Sequence, residues 1–196
     1  MKTRGPSGRF RVIAGRWRGR RFPVPQLEGL RPTPDRVRET VFNWLQPVTD
    51  GARVLDLFAG TGALGIEALS RGASRVVFVE GNAEAAARLR TLLSGLGAAD
   101  AEVVHADAMA FLGGRPQTFD IVLLDPPFTE GFPGRLCTLL ETGGWLAPRA
   151  RIFLEHARRS ELPPLPAGWT LHRSRRAGQV AFHLALRSAP TEPARI

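Results

Sequence analysis

One local pattern constrains this chain more than any other. An apolar run, Val54–Leu57, turns through Phe58-Ala59-Gly60-Thr61-Gly62 and, from Ala63 through Gly65, opens an apolar helical stretch ending at Ser70. Three glycines at G-x-G-x-x-G spacing, after a strand and before a helix, mark a βα unit whose turn holds a nucleoside cofactor. The same rhythm continues downstream. Strands are expected at Arg75–Val79, Glu102–His105, Phe119–Leu124, Arg151–Glu155, Trp169–Arg175 and Val180–Leu186, with helices at Ala83–Leu96 and Arg135–Leu140. Such alternation implies an α/β fold with a mainly parallel sheet covered on both faces. The last two strands, joined through Arg176-Ala177-Gly178-Gln179, give it an antiparallel edge.

Upstream, Phe10–Ala14 and Arg20–Val24 read as a hairpin around Gly15 and Gly19. Thr33-Pro34 is a helix start, with Thr33 as N-cap. Val37, Val41, Trp44 and Leu45 form one apolar stripe, with Arg36 and Arg38 off it, and the helix is expected to stop before Pro47. The 196 residues suffice for one α/β domain with a small extension. The expected organisation is a disordered basic arm at 1–9, a hairpin and helix at 10–46, the catalytic domain at 47–187 and a disordered tail at 188–196.

Charge is distributed unevenly. The net charge is +9, yet residues 1–53 carry twelve Lys and Arg against four acids, and 149–187 carry eight against two. The block between them, 54–148, is acidic, with six cations and eleven acids. All but one of the cations are Arg, suited to bidentate phosphate contacts. Clustering at both flanks points to a polyanion, most simply nucleic acid. Arg16, Arg18, Arg20 and Arg21, with Trp17 among them as a stacking residue, and Arg31, Arg36 and Arg38 are the candidate RNA contacts. No apolar run is long enough to span a membrane, and no apolar run follows the charged N-terminus as in a secretory signal. The single cysteine, Cys137, excludes an internal disulfide and reads as a small buried apolar residue. Four histidines show no ligand spacing, so no metal is expected.

The chemistry lies at strand ends. Asp56, at the end of the first strand, can hold the amino-acid moiety of S-adenosylmethionine, where a pyrophosphate would be repelled. Glu80, twenty residues after Gly60, is placed for ribose hydroxyls, and Asp107, with Ala108 after it, for the adenine amine. Asp125-Pro126-Pro127-Phe128 closes the fourth strand. An exocyclic amine on a base is a poor nucleophile because its lone pair is delocalised into the ring. The Asp125 carboxylate and the Pro126 carbonyl can each accept one N–H, Pro127 stiffens the turn, and Phe128 offers a stacking face. Methyl transfer from S-adenosylmethionine to a base nitrogen is the reaction these parts suit. The tetrad serves adenine N6 as well as guanine N2. An RNA-binding assembly factor that keeps a cofactor fold, and a nicotinamide-dependent dehydrogenase, are the readings from other classes.

Together these residues resemble the RsmD family, bacterial enzymes that methylate N2 of a guanine in small-subunit ribosomal RNA. The likeness runs from about Phe10 to Leu186. Its most specific pieces are Arg11-Val-Ile-Ala-Gly15-x-Trp17-Arg-Gly19, Arg31-Pro-Thr-x-x-Arg36-Val-Arg-Glu39-Thr-Val-Phe-Asn-Trp44-Leu and Ala177-Gly-Gln-Val180. The resemblance implies a class I S-adenosylmethionine-dependent methyltransferase fold, a Rossmann-like seven-stranded sheet with an N-terminal β-hairpin extension. It implies guanine 966 of 16S rRNA as target, presented in the small subunit or an assembly intermediate. The protein is expected to act as a monomer in the cytoplasm.

Overall fold

The computed structural model describes residues 8–24, 27, 32–126 and 132–188. The expected arm, apart from its last two residues, and the tail beyond Ser188 lie outside them, as do Arg31, Pro127 and Phe128. Nine strands and five helices are described. The hairpin is β1 (Arg9–Arg11) and β2 (Arg21–Pro23), and α1 (Asp35–Thr49) follows. The alternating core comprises β3 (Arg53–Asp56), α2 (Ala63–Ser70), β4 (Arg75–Glu80), α3 (Ala83–Gly95), β5 (Ala101–His105), α4 (Ala108–Leu112), β6 (Phe119–Leu124) and α5 (Phe132–Thr142). Three long strands complete it: β7 (Leu146–Ala157), β8 (Trp169–Ala177) and β9 (Val180–Arg187).

Seven strands form one sheet in the order β5-β4-β3-β6-β7-β9-β8. The first five are parallel, and β9 runs antiparallel to both its neighbours. The order reverses between β3 and β6, which opens a crevice beyond their carboxyl ends. Alternate residues face two cores. Val54, Ile121, Leu123 and Phe153 pack with α1, α2, α3 and the hairpin on one face. Leu55, Val122, Leu124 and Leu154 pack with α4 and α5 on the other, where Cys137 is fully buried as expected. Phe10, Val12 and Trp17 of the hairpin region belong to the same apolar cluster as Val41 and Phe42 of α1 and Ile66 of α2.

Several local expectations need correcting. Helix α1 does not stop before Pro47 but runs to Thr49. Proline only removes an N–H that would have bonded to the Asn43 carbonyl, and both residues lie on the exposed side. The last turn is closed by Thr49 Oγ1 donating to the Leu45 carbonyl at 2.8 Å. Thr33 is not the cap: Pro34 occupies that position without a side-chain bond. The short helix α4 was not anticipated, because its start rests on one residue, Asp107, whose Oδ1 accepts from Met109 and Ala110 N–H. Strand β7 begins five residues early. Its pairing with β6 steps from Phe119–Leu146 to Ile121–Arg151, and the irregular interval holds Pro148, which cannot donate, and Arg149 at φ 63°.

Candidate active site

The glycine turn is shaped by contacts that exclude larger residues. Gly62 has φ +77°, and a Cβ there would lie 2.4 Å from Leu89 Cδ1 of α3. A Cβ on Gly65 would lie 2.2 Å from the Phe78 ring of β4. The turn is tied down by Ala59 N–H to the Val79 carbonyl (2.9 Å) and by Gly60 N–H to Glu80 Oε2 (2.7 Å). Ala59 and Thr61 are buried beneath it, and Phe58 packs partly buried against the α4/α5 core.

Asp56 ends β3 as expected, but its side chain is buried. It is 1 % exposed, and its Oδ2 accepts from Gly65 N–H at 2.9 Å. It therefore holds the first turn of α2 from below rather than presenting an open carboxylate to a ligand. Burial pushes its pKa up to about 7, opposed by the Gly65 bond and reinforced by the charges of Asp125 and Glu80. Glu80 and Asp107 stand where the sequence placed them. Glu80 is half-buried at the end of β4, with Oε1 accepting from Asn82 N–H at 2.7 Å. Asp107 is exposed just past β5, next to buried Ala108. Both carboxylates also serve the protein's own backbone, so a ligand would share acceptors that are already fixed in place.

Asp125 directly follows β6. Asp56 of β3 pairs with Leu123 of β6, which sets Asp125 beside the turn that leaves β3. Two of the four acids thus converge at the reversal point, and the first half of the tetrad, half-buried Asp125 and buried Pro126, sits there with them. Asp125 Oδ2 accepts from Thr33 Oγ1 at 3.3 Å. Burial raises the Asp125 pKa to about 6, with the Thr33 bond pulling the other way. On the adjacent strand Glu155 is 4 % exposed, and its Oε2 has no hydrogen-bond partner among the described residues. Burial and the charge of Asp125 push its pKa up to about 8.

The expected RNA contacts divide. Arg16, Arg18, Arg20 and Arg21 are exposed on the hairpin, and Arg36 is exposed on α1. Trp17 is only 7 % exposed and lies under the Arg16 guanidinium, 4.0 Å from its ring centre, so it cannot stack a base. Arg38 is the clear correction. Its side chain is fully buried, donating to the Thr33 and Arg11 carbonyls and pairing with Asp35 and Glu67. It cannot reach RNA.

Glu67, which sequence reasoning passed over, is the centre of that network. Its Oε1 accepts from Ala14 N–H and Arg71 Nε, and its Oε2 accepts from Ile13 N–H and Arg38 Nη1. Ser70 adds a second tie by accepting from Trp17 N–H and donating to the Ala14 carbonyl. A continuous chain of bonds thus runs from the basic hairpin through Glu67, Arg38 and Thr33 to Asp125.

The model for the family described as Conserved hypothetical protein 95 matches residues 10–186. The chain belongs to this family. It is 49 % identical to ribosomal RNA small subunit methyltransferase D of Escherichia coli K12, over 95 % of this chain and 94 % of that one. It is 42 % identical to the Haemophilus influenzae protein of the same name, over 94 % and 97 %. A solved Escherichia coli structure described as a methyltransferase superposes with a TM-score of 0.87 at 47 % identity, covering 93 % of this chain and 99 % of that one. A Haemophilus influenzae methylase follows at 0.79 and 38 %, covering 92 % and 99 %. The fold is the class I methyltransferase fold with an added N-terminal hairpin, and the resemblance read from the family's motifs holds over the same span.

Proposed function

We propose that this protein is an S-adenosylmethionine-dependent methyltransferase that modifies N2 of a guanine in 16S rRNA, guanine 966 by the family resemblance. The observation that carries it is the placement of Asp125 and Pro126 beside the glycine turn at the sheet's reversal point. The relatives named for ribosomal RNA small subunit methylation support the substrate. The surroundings favour a cationic donor over a pyrophosphate, because Asp56, Glu80 and Asp125 act on one another as like charges there.

The residues fit this cofactor. The cradle at Gly62 and Gly65 admits no side chain, Glu80 is placed for ribose hydroxyls, and Asp107 is placed for the adenine amine. S-adenosylmethionine supplies an electrophilic sulfonium methyl. Asp125 and the Pro126 carbonyl each accept a hydrogen bond from one amine N–H and so localise the nitrogen lone pair. The nitrogen releases its proton after methyl transfer, and Phe128 is assigned the stacking of the base. The target must be unpaired or flipped out for these acceptors to reach it. The exposed hairpin arginines hold the surrounding phosphates.

Nucleoside mass spectrometry of small-subunit rRNA from cells with and without the gene tests the reading. Loss of one N2-methylguanosine, restored by the wild-type gene and not by Asp125→Ala, is the expected result. Loss of an N6-methyladenosine would transfer the same site to the adenine reading. An unchanged nucleoside profile would leave only an RNA-binding role.

A further inference from the structure

Glu155 is a carboxylate of the site that no step above uses and, unlike Asp56, it holds no backbone N–H among the described residues. Strands β6 and β7 are parallel with Leu124 opposite Leu154, so the next residue on each, Asp125 and Glu155, stand side by side at the carboxyl ends. Alternation puts both on the face that carries Leu123 and Phe153, under α1. Glu155 also pairs in register with Phe182 of β9, another member of that cluster. The two carboxyls feel each other's charge. Asp125 has a donor in Thr33, whereas Glu155 Oε2 is buried with none among the described residues.

A buried acceptor without a donor is an unfavourable arrangement in a native protein and calls for an explanation. Here the explanation is supplied by the chemistry of the base. The Watson–Crick edge of guanine carries the N2 amine and, directly beside it, the N1–H: two donors in a row. The edge of adenine carries an amine beside N1, a lone pair. Two ionised carboxyls side by side match guanine, whose N1–H gives Glu155 the donor it lacks, and face adenine with a repulsive contact. A protonated Glu155 would donate to a bare N1 instead, so the discrimination belongs to the ionised form, above a pKa of about 8.

We propose that Glu155 is the specificity-determining residue of this site, accepting the N1–H of the target guanine while Asp125 accepts from its N2 amine. The inference rests on the guanine reading above and deepens it. Asp125 and the Pro126 carbonyl orient any exocyclic amine. Glu155 asks whether the ring nitrogen next to it bears hydrogen. Sites built to bond a donor reject analogues lacking it far more strongly than shape alone can, because the buried acceptor is left unpaired.

The discriminating substrate is 2-aminopurine, which keeps the exocyclic amine at the same ring position but has a bare N1. Small-subunit particles are reconstituted with rRNA carrying guanine or 2-aminopurine at the methylated position. The kcat/KM is measured on each at about pH 8.5, where Glu155, with a pKa of about 8, is mostly ionised. The wild-type enzyme is expected to prefer guanine by at least about 100-fold. Glu155→Gln, whose amide can turn a donor toward a bare N1, is expected to shrink that ratio by about 10-fold or more, and Glu155→Leu to shrink it similarly. Binding of S-adenosylhomocysteine by each variant reports whether the fold and cofactor site survive.

A merely structural Glu155 would slow both substrates alike and leave the ratio unchanged, which would overturn the proposal. Equal use of the two substrates by the wild-type enzyme would overturn it without any variant. Wild-type enzyme that transfers no methyl to guanine particles, yet methylates adenine elsewhere, would instead sink the guanine reading and Glu155's proposed role with it. The first two failures leave guanine methylation standing, so the outcomes are separable.

Discussion

Thr33 Oγ1 donates to Asp125 Oδ2 across 3.3 Å, joining two positions ninety-two residues apart in the chain. The bond favours the ionised carboxylate, against the burial that raises the Asp125 pKa to about 6. On the proposed mechanism Asp125 accepts a hydrogen bond from the amine best when ionised, so methyl transfer should rise with pH through about 6. Thr33→Val removes the opposing influence and moves this acid limb to higher pH. At pH 6 the variant should be slower than wild type by about ten-fold, with a smaller deficit above pH 8. A pH–rate profile of both enzymes checks this, and superimposable acid limbs would remove Thr33 from the site.

Behind Thr33 stands Arg38, whose Nε holds the Thr33 carbonyl at 3.1 Å while its Nη1 meets Glu67 at 3.5 Å, both side chains fully buried. Removing one partner strands the other charge in the interior. Glu67→Ala should cost about 3–5 kcal/mol of unfolding free energy, because it also orphans the Ile13 and Ala14 N–H groups. Denaturant melts of the two proteins measure it. A loss below about 1 kcal/mol would mean that the hairpin is held by its apolar contacts alone.

Gly62 tests the cofactor cradle separately. At φ +77° any side chain is strained, and a methyl group would meet Leu89 at 2.4 Å. Gly62→Ala should weaken S-adenosylhomocysteine binding by at least about 10-fold through displacement of the turn. Calorimetric titration measures it, and wild-type affinity in the variant would place the cofactor elsewhere.

The contrast between what was readable and what was hidden follows from the range of the interactions. The glycine turn, the strand ends bearing Asp56, Glu80 and Asp125, and the pairing of the last two strands depend on neighbours in sequence, so their patterns survive in one dimension. Arg38 was misread because a cation off the apolar stripe is normally solvated. Its placement four before Phe42 and seven before Leu45 put it on a buried row all the same. Glu67 held the matching clue: it is the one charged residue in α2, a helix buried on every side, and so needed a buried cation. Neither residue identifies the other without the fold. Thr33 and Glu155 were invisible for the same reason, since each gains its meaning from Asp125 on a different element.

Asp56 predicts a pH dependence of stability. Its pKa rises from 3.8 to about 7 on folding, chiefly through burial, so the folded chain binds its proton more tightly than the unfolded one. The stabilisation is complete below about pH 4 and is lost as pH rises through 7. Asp56→Asn cannot ionise but can still accept from Gly65 N–H. Between pH 4.5 and 7.5 the Tm of wild type should therefore fall relative to the variant, by about 10 °C. Calorimetric scans across that range decide it. Parallel curves would mean that Asp56 ionises in the folded protein as readily as in the unfolded one.

The hairpin arginines predict a salt dependence instead. Arg16, Arg18, Arg20 and Arg21 are exposed together on the element that the Glu67 network anchors to α2. If they neutralise rRNA phosphates, each lost contact should flatten the dependence of log affinity on log salt by nearly one. Replacing all four with alanine should therefore reduce that slope by up to about three and weaken particle binding most at low ionic strength. S-adenosylhomocysteine binding should be unaffected, because none of the four reaches the glycine turn by any contact among the described residues. Particle-binding titrations over a salt series measure the slope. An unchanged slope would assign these arginines to solvent and move the RNA contact to other cations of the chain.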